Sequence, residues 1–214
     1  MYLPDLFVES DLAKLHSLIN DYNFATLFCQ PGGAPPEIVH MPFILERTRG
    51  TRGTLLGHVA RANPIWRLFD GSTAAVIVFQ GPHGYISPSW YTSRQQVPTW
   101  NYAVVHASGK PQLVPESEVL DLLQRLVEKH EGKGEKAWQI SELSSEFLKH
   151  MTNQIVVFSM AIDRIVGKFK LSQNRSVPDR QGAIVGLRAR GDLFDPALIE
   201  LMEKALAARV LATE

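Results

Sequence analysis

Near its start the chain reads Glu9-Ser10-Asp11 and then places apolar residues at Leu12, Leu15, Leu18 and Ile19. Capping side chains followed by apolar positions at helical spacing predict a helix over residues 10–20, with one face turned to a core. After this the period changes. Phe24 to Cys29, Glu37 to Leu45, Thr51 to Ala60, Ser72 to Gln80, Thr99 to Gly109 and Gln154 to Leu171 are rich in β-branched and aromatic residues, with Gly, Pro or charged breaks between them. Short links between such runs favour an antiparallel barrel over alternating βαβ units. The last run, QIVVFSMAIDRIVGKFKL, reads as one bent strand with its kink at Gly167.

Helical spacing returns in two inserts. Pro115 to Lys129 carries Val119, Leu122, Leu123 and Leu126 on one face, and Ser141 to His150 is opened by Ser141 or by Leu143-Ser144. Together they are expected to form a lid on the barrel. Pro178 to Ala212 predicts two more helices, split at Gly191-Asp192, with Asp195-Pro196 as N-cap and first-turn proline of the second. The expected fold class is mainly β with α (α+β). The expected organisation is a barrel domain over residues 1–172 and a helical C-terminal appendage over residues 173–214.

Composition narrows the function classes. The 22 basic and 22 acidic residues cancel, so no whole-chain field draws the protein to nucleic acid or to an anionic membrane. Cys29 is the single cysteine, which excludes an internal disulfide and fits a reducing compartment; it reads as a small buried hydrophobe in TLFC. No apolar run approaches a membrane span, and the N-terminus carries acids in place of a basic leader, so a cytoplasmic location is expected.

Candidate chemistry concentrates in three segments. The first, FQGPHGYISPSWYTSRQQVPTWNY, gathers Phe79, Tyr85, Trp90, Tyr91, Trp100 and Tyr102 between Pro82, Pro88 and Pro98. Rings with few torsions, held by prolines that fix φ, suit a planar partner, although the same composition also describes a loop that merely packs. Gln80, at the end of an apolar strand that leaves the sheet at Gly81-Pro82, Ser87 and Asn101 add hydrogen-bonding groups beside the rings. In GHVARANPIWRLF, Asn63-Pro64 has the sequence of an N-cap and first helical residue after a strand. Such a junction can hold an anion, with Arg61, Arg67 and His58 as donors; an ordinary capped helix with solvated arginines reads the same way. The third segment is KFKLSQNRS and its basic continuation. Between Asp163 and Arg190 seven basic residues face two acids, enough to hold a phosphate at Lys168 and Lys170 or to touch nucleic acid along the patch. A lysine-protected edge strand is the plainer explanation.

Several constellations are missing from the sequence. Its histidines show no HxxxH or HExxH spacing, and there is no GxSxG, no GxGxxG after a strand and no Walker A loop. A dedicated metal site, acyl transfer by a nucleophile elbow, and nucleotide binding through a Rossmann or P-loop turn are not expected.

MYLPDLF, GHVARANP, FQGPHGYISPSWY, VPTWNY and KFKLSQN, in this order along nearly the whole chain, closely resemble the PaiB-type FMN-binding negative transcriptional regulators. That family is related to the FMN-binding split barrels that include pyridoxamine phosphate oxidase. The resemblance implies an antiparallel FMN-binding split β-barrel that forms a homodimer with FMN in a groove between subunits. It implies that His58, Ala60, Arg61 and Asn63 lie near the flavin phosphate and ribityl chain. Gln80, Tyr85, Ser87, Trp90, Trp100 and Asn101 would line the flavin, and Lys168, Lys170 and Gln173 would close the site. His40 and Pro42 would border the ring where the family has a His-Leu-Pro or similar run; Met41 is a departure from it.

The regulator name implies promoter DNA as a partner, and Arg175, Arg180, Arg188 and Arg190 of the basic tail are the candidates for phosphate contact. Two other functions stay open at this level. One is an FMN-dependent oxidoreductase acting on a small substrate, with His58, Tyr85 or Lys170 as proton donor. The other is a haem-binding module with His83 or His106 as axial ligand.

Overall fold

The computed structural model of the chain describes residues 1–132, 134 and 136–211. In chain order the elements are β1 (Val8–Glu9), α1 (Leu12–Asp21), β2 (Phe24–Cys29), β3 (Glu37–Pro42), β4 (Ile44–Glu46), β5 (Thr54–Ala60), β6 (Ala75–Ile86), β7 (Thr99–Gly109), β8 (Gln112–Leu113), α2 (Val119–Glu131), α3 (Ser145–Thr152), β9 (Ile155–Lys170), α4 (Val177–Arg190) and α5 (Asp195–Leu211). The strands join in the order β3-β2-β6-β7-β9-β5-β4, with β1 and β8 also paired to β9. Every pairing of β2 with β3 and β6, of β5 with β4 and β9, and of β9 with β1 and β8 is antiparallel. This is the antiparallel α+β class expected from the strand pattern, in the split-barrel form that the resemblance implies.

Most elements fall where the hydrophobic period placed them, and the departures have local causes. The run Glu37 to Leu45 is broken at Phe43, whose ring is buried, so it forms two strands in place of one. The run from Thr51 begins late because Gly50 and Gly53 turn the chain with φ of 83° and 88°. Strand β6 does not stop at Gln80 as expected; it continues through Gly81 and Pro82 to Ile86, carrying the first part of the aromatic segment on a rigid strand. Ser144 caps α3, accepting from Phe147 N at 3.2 Å, and Gly191 at φ 68° ends α4 as a left-handed C-cap. The expected last helix is α5, and its continuation at Ala212 lies outside the described residues.

The chain packs as two compact units. Unit one comprises Met1–Leu15, Gln80–Val105 and the chain from Val166 onward, and unit two comprises His16–Phe79 and His106–Ile165. The tail expected to stand apart from residue 173 onward thus shares a unit with the N-terminal residues and the aromatic segment. In unit two the core is a set of rings: Phe43 meets Phe79 edge-on at 5.8 Å and Phe158 at 6.2 Å, and Phe69 packs on Phe158 at 4.2 Å. Cys29 is fully buried there, and burial, followed by the Asp70 charge, pushes its thiol up to about 11. On the other face of the β5/β9 pair, Leu56 and Val157 take Leu122 and Leu126 of α2, which explains the apolar stripe of that helix. In unit one Leu187, Leu198 and Met202 are fully buried, so α4 and α5 have a core of their own.

Candidate functional site

In unit two, the GHVARANP segment spans the end of β5 and the turn after it. Asn63 caps as its position predicts, its Oδ1 accepting from Ile65 N at 3.1 Å. The element it opens, Pro64–Leu68, is a five-residue 3-10 helix, too short to offer the anion site read from the sequence. Arg61 is also committed: Nε donates to the Asn153 carbonyl at 2.7 Å and Nη2 to the Ile155 carbonyl at 2.9 Å. It therefore fastens the turn between α3 and β9 to the end of β5, while Trp66 Nε1 donates to the Arg61 carbonyl at 2.9 Å. Ala60 is exposed. His58, paired with Val157 on β9, is held below its ordinary pKa by burial, and its Nδ1 is buried with no hydrogen-bond partner among the described residues. His40 is exposed and shares a 2.9 Å hydrogen bond with Thr26, while Met41 is buried, its methyl packed where a Cβ on Gly57 would stand.

Unit one holds the aromatic segment, and it divides the rings into two kinds. Tyr85 and Trp100 are 38% and 54% exposed and meet edge-on with centroids 6.1 Å apart. Gln80 is exposed too. Trp90, by contrast, is sunk into α4: a Cβ on Gly182 would strike its backbone and one on Gly186 its indole, so the GxxxG spacing of α4 exists to receive this ring. Ser87 hydrogen-bonds Ser89 Oγ at 2.7 Å and caps the turn before Trp90. Asn101 is fully buried, donating to Ser172 Oγ at 2.8 Å and to Met202 Sδ at 3.4 Å. It braces the wall from behind and does not offer its amide at the surface.

The KFKLSQN segment is split in the same way. Lys168 is only 8% exposed; its Nζ donates to the Tyr2 carbonyl at 3.0 Å and lies over the rings of Tyr2 and Tyr102 at 5.6 and 5.4 Å. Gln173 folds back on its own turn, accepting from Leu171 N at 2.6 Å and donating to Phe169 O. Between them Ser172 is held at φ 63°, a left-handed conformation that costs a non-glycine residue about 1–3 kcal/mol and that Asn101 and Gln173 together hold in place. Lys170 is the member at the surface. It donates to Thr99 Oγ1 and, at 2.9 Å, to the Trp100 carbonyl, and desolvation, then the charges of Lys168 and Arg175, lowers its pKa.

The arginines expected to reach DNA are largely absorbed by the same unit. Arg180 is 1% exposed and cannot meet a phosphate. Arg190 donates to both carboxylate oxygens of buried Asp195, to the Tyr85 carbonyl at 2.8 Å, and lies over Trp90 at 5.6 Å. Arg175 bonds Gln96 and covers the Tyr91 ring at 5.0 Å, and Arg188 pairs with Glu203. Charge along the sequence is thus a poor guide to charge at the surface here, because each of these cations meets a partner brought by the fold.

Two residues escaped the sequence reading. Asp179 is buried and accepts from Thr92 N and Oγ1 at 2.8 Å, from Ser93 N at 2.9 Å and from Ser93 Oγ at 2.7 Å, pinning the loop after Trp90 to the start of α4. These donors hold its carboxyl well below the usual range. Its only signal in the sequence is an acid in a helix's first turn after Ser176-Val177-Pro178, which any N-terminus could show. Phe194, between α4 and α5, stacks on His83 at 4.7 Å, and His83 lies 6.3 Å from Trp100, extending the exposed wall to a third and a fourth ring. Nothing in the sequence connects positions so far apart.

The chain is similar to known proteins over nearly its whole length. Residues 1–164 match the family model described as "Putative FMN-binding domain". The chain belongs to this family. It is 32% identical to the protease synthase and sporulation protein PAI 2 of Bacillus subtilis, over 98% of this chain and all of that one. An uncharacterized protein of Emericella nidulans is 30% identical over 89% of this chain and 92% of its own length. Among solved structures, an FAD and heme binding protein from Mycobacterium smegmatis superposes with a TM-score of 0.61 at 15% identity, covering 86% of this chain and 80% of that one. The flavocytochrome Anf3 from Azotobacter vinelandii gives 0.59 at 13% identity, covering 76% and 69%. These distant likenesses carry the fold alone. The cofactor of this PaiB-type chain is the flavin FMN. The residues present fit such a group: two exposed rings set at a fixed angle, an exposed strand amide and a partly desolvated lysine make a surface for a planar, hydrogen-bonding ring system. No helix among the described residues is long and apolar enough to cross a membrane.

Proposed function

We propose that the chain is a flavin-binding transcriptional regulator of the PaiB type that works as a homodimer, its FMN ring lying against Tyr85 and Trp100 of unit one. The observation that carries the flavin part is the exposed pair itself. Tryptophan and tyrosine at 54% and 38% exposure, edge-on to each other and beside Lys170, make an aromatic surface suited to a flat partner. When bound, the flavin supplies the redox chemistry. The chain's own residues orient it: Trp100 and Tyr85 give apolar faces, Gln80 a strand-held amide, and Lys170 a cation whose proton is easier to release than that of an ordinary lysine. Asp179, Arg190, Lys168 and Asn101 hold these groups in place from behind. The regulatory part rests on the family and on the name of the Bacillus subtilis relative.

The test is direct. Purified protein should carry flavin absorbance and run as a dimer in solution, and Trp100→Ala should weaken FMN retention while leaving the fold intact. Equal retention in Trp100→Ala would remove the ring from this wall, and a holoprotein that fails to retain DNA from its own promoter region at low salt would remove the regulator.

An FMN-dependent oxidoreductase acting on a small substrate is the second reading, and one observation favours it. The tail arginines that DNA contact would need are buried or ion-paired inside unit one, as Arg180 and Arg190 are. Lys170 beside the exposed rings is at the same time placed to give or take a proton. Oxidation of NAD(P)H, or substrate-dependent reoxidation of the reduced holoprotein across a panel of small acceptors, would support this reading, and no turnover with any of them would sink it.

A further inference from the structure

Unit two contains a cavity of about 640 Å³ beneath the helical insert; it is lined by none of the residues assigned above to the flavin ring, and Arg61 is the one residue it shares with those that the resemblance sets near the flavin phosphate. Its floor is the start of β9, at Ile155 and Val157, and its far wall is the beginning of α2, at Val119 and Leu120. The near wall is α3, which turns Ser145, Leu148, Lys149 and Thr152 toward it, the spacing of one helix face. The volume lies inside the range of about 300–1,000 Å³ typical of small-molecule sites.

Helix α3 makes this space more than a packing flaw. It is eight residues long and none of its side chains is fully buried; Phe147 and Met151 on its outer side are 50% and 45% exposed. A helix so short gains its stability from packing, and the face that should pack looks into the cavity. An apolar body in the cavity supplies the missing contacts. Its charge follows from the polar lining: Arg61 and Lys149 against a single acid, Glu116. Arg61 is held rigid by the Asn153 and Ile155 carbonyls through Nε and Nη2, which leaves Nη1 as the nitrogen for an anion.

We infer that this cavity is a second binding site, separate from the flavin, for a small amphipathic monocarboxylate whose apolar chain lies under α3 and whose carboxylate meets Arg61 and Lys149. Its occupancy would order α3 and give the protein a ligand other than FMN to respond to.

Decanoate is the probe, titrated calorimetrically into the flavin-loaded protein, with decanol and decylamine as neutral and cationic counterparts. Saturable one-to-one binding of decanoate is expected, several-fold tighter than decanol, with decylamine not binding and flavin absorbance unchanged. Leu148→Trp, which fills the space from α3, should weaken decanoate at least tenfold, and Ser145→Phe should do the same from the neighbouring turn if the first variant folds poorly by circular dichroism. Lys149→Glu should weaken decanoate several-fold and leave decanol unchanged. No saturable binding up to the solubility limit, unchanged affinity in a folded filling variant, or preference for decylamine would each overturn the proposal. Release of flavin on addition of decanoate would overturn it too, by making the cavity the cofactor's own site. None of these outcomes bears on the ring contacts of Trp100 and Tyr85, so the two proposals fail separately.

Discussion

The two compact units reach rigidity by opposite means. Unit two is built as a conventional apolar interior, with Phe43, Phe69, Phe79 and Phe158 interlocked and the outer face of its sheet sealed by α2. Unit one uses charge: Asp179 collects four donors, Arg190 spans Asp195, Trp90 and Tyr85, and Lys168 is caged by two tyrosines. The difference teaches where function can reside. A polar scaffold can leave large rings such as Trp100 and Tyr85 at the surface without collapse, because the strands that bear them, β7 and β6, are held by directional bonds such as those of Lys170 to the Trp100 carbonyl and Arg190 to the Tyr85 carbonyl. An apolar scaffold with one helix underpacked leaves a cavity instead.

The largest expected effect tests the apolar side. Phe158→Ala removes the ring shared by Phe43 and Phe69 and should cost about 3–5 kcal/mol in denaturant unfolding, since a cavity forms where three rings met. Asp179→Ala is the matching break in unit one. It orphans the Thr92 and Ser93 donors and should cost about 3 kcal/mol, with faster proteolysis of the loop after Trp90. A loss below about 1 kcal/mol would show that the polar anchoring is decorative.

Acid should separate the units more gently. Asp179 is depressed in the folded state, so its contribution is complete above the ordinary carboxylate value of about 4 and is lost as pH falls below it. His58 and His106 in unit two are held neutral by burial, so the unfolded chain binds more protons below about pH 6.5 and stability falls from there. Stability measured against pH should therefore decline in two steps. His58→Gln should shrink the upper one, leaving the share of His106, and Asp179→Asn should shrink the lower one, leaving the shares of Asp195 and Asp70. A single step, unmoved by either change, would erase the contrast.

Trp100→Ala should change stability little and weaken FMN by about 1–1.5 kcal/mol, roughly tenfold, read by flavin release on dilution. Smallest of all is Arg188→Ala. Its pair with Glu203 is more than 45% exposed on both sides and should be worth under about 1 kcal/mol in thermal unfolding.

Much of the backbone could be read from the residues. Phe24–Cys29, Thr99–Gly109 and Ile155–Lys170 are strands because their buried positions alternate or run continuously between two covered faces, a property of neighbouring residues only. Caps at Asn63 and Ser144 are equally local. Strand β6 was read short because Gly81-Pro82 is a turn signal by itself, and only its neighbours in the sheet keep that stretch extended.

The site was legible as motifs and not as roles. Sequence alone settled that aromatic rings, lysines and arginines cluster in three ordered segments, and through them the family and its flavin. Which of those groups stays at the surface and which is spent on the scaffold was decided by tertiary structure. Asn101 is buried against Ser172 across 71 positions, and Arg190 meets the Tyr85 carbonyl across 105. A side chain's availability depends on the partners the fold brings to it, and hydrogen-bond partners that distant leave no periodic mark in the chain.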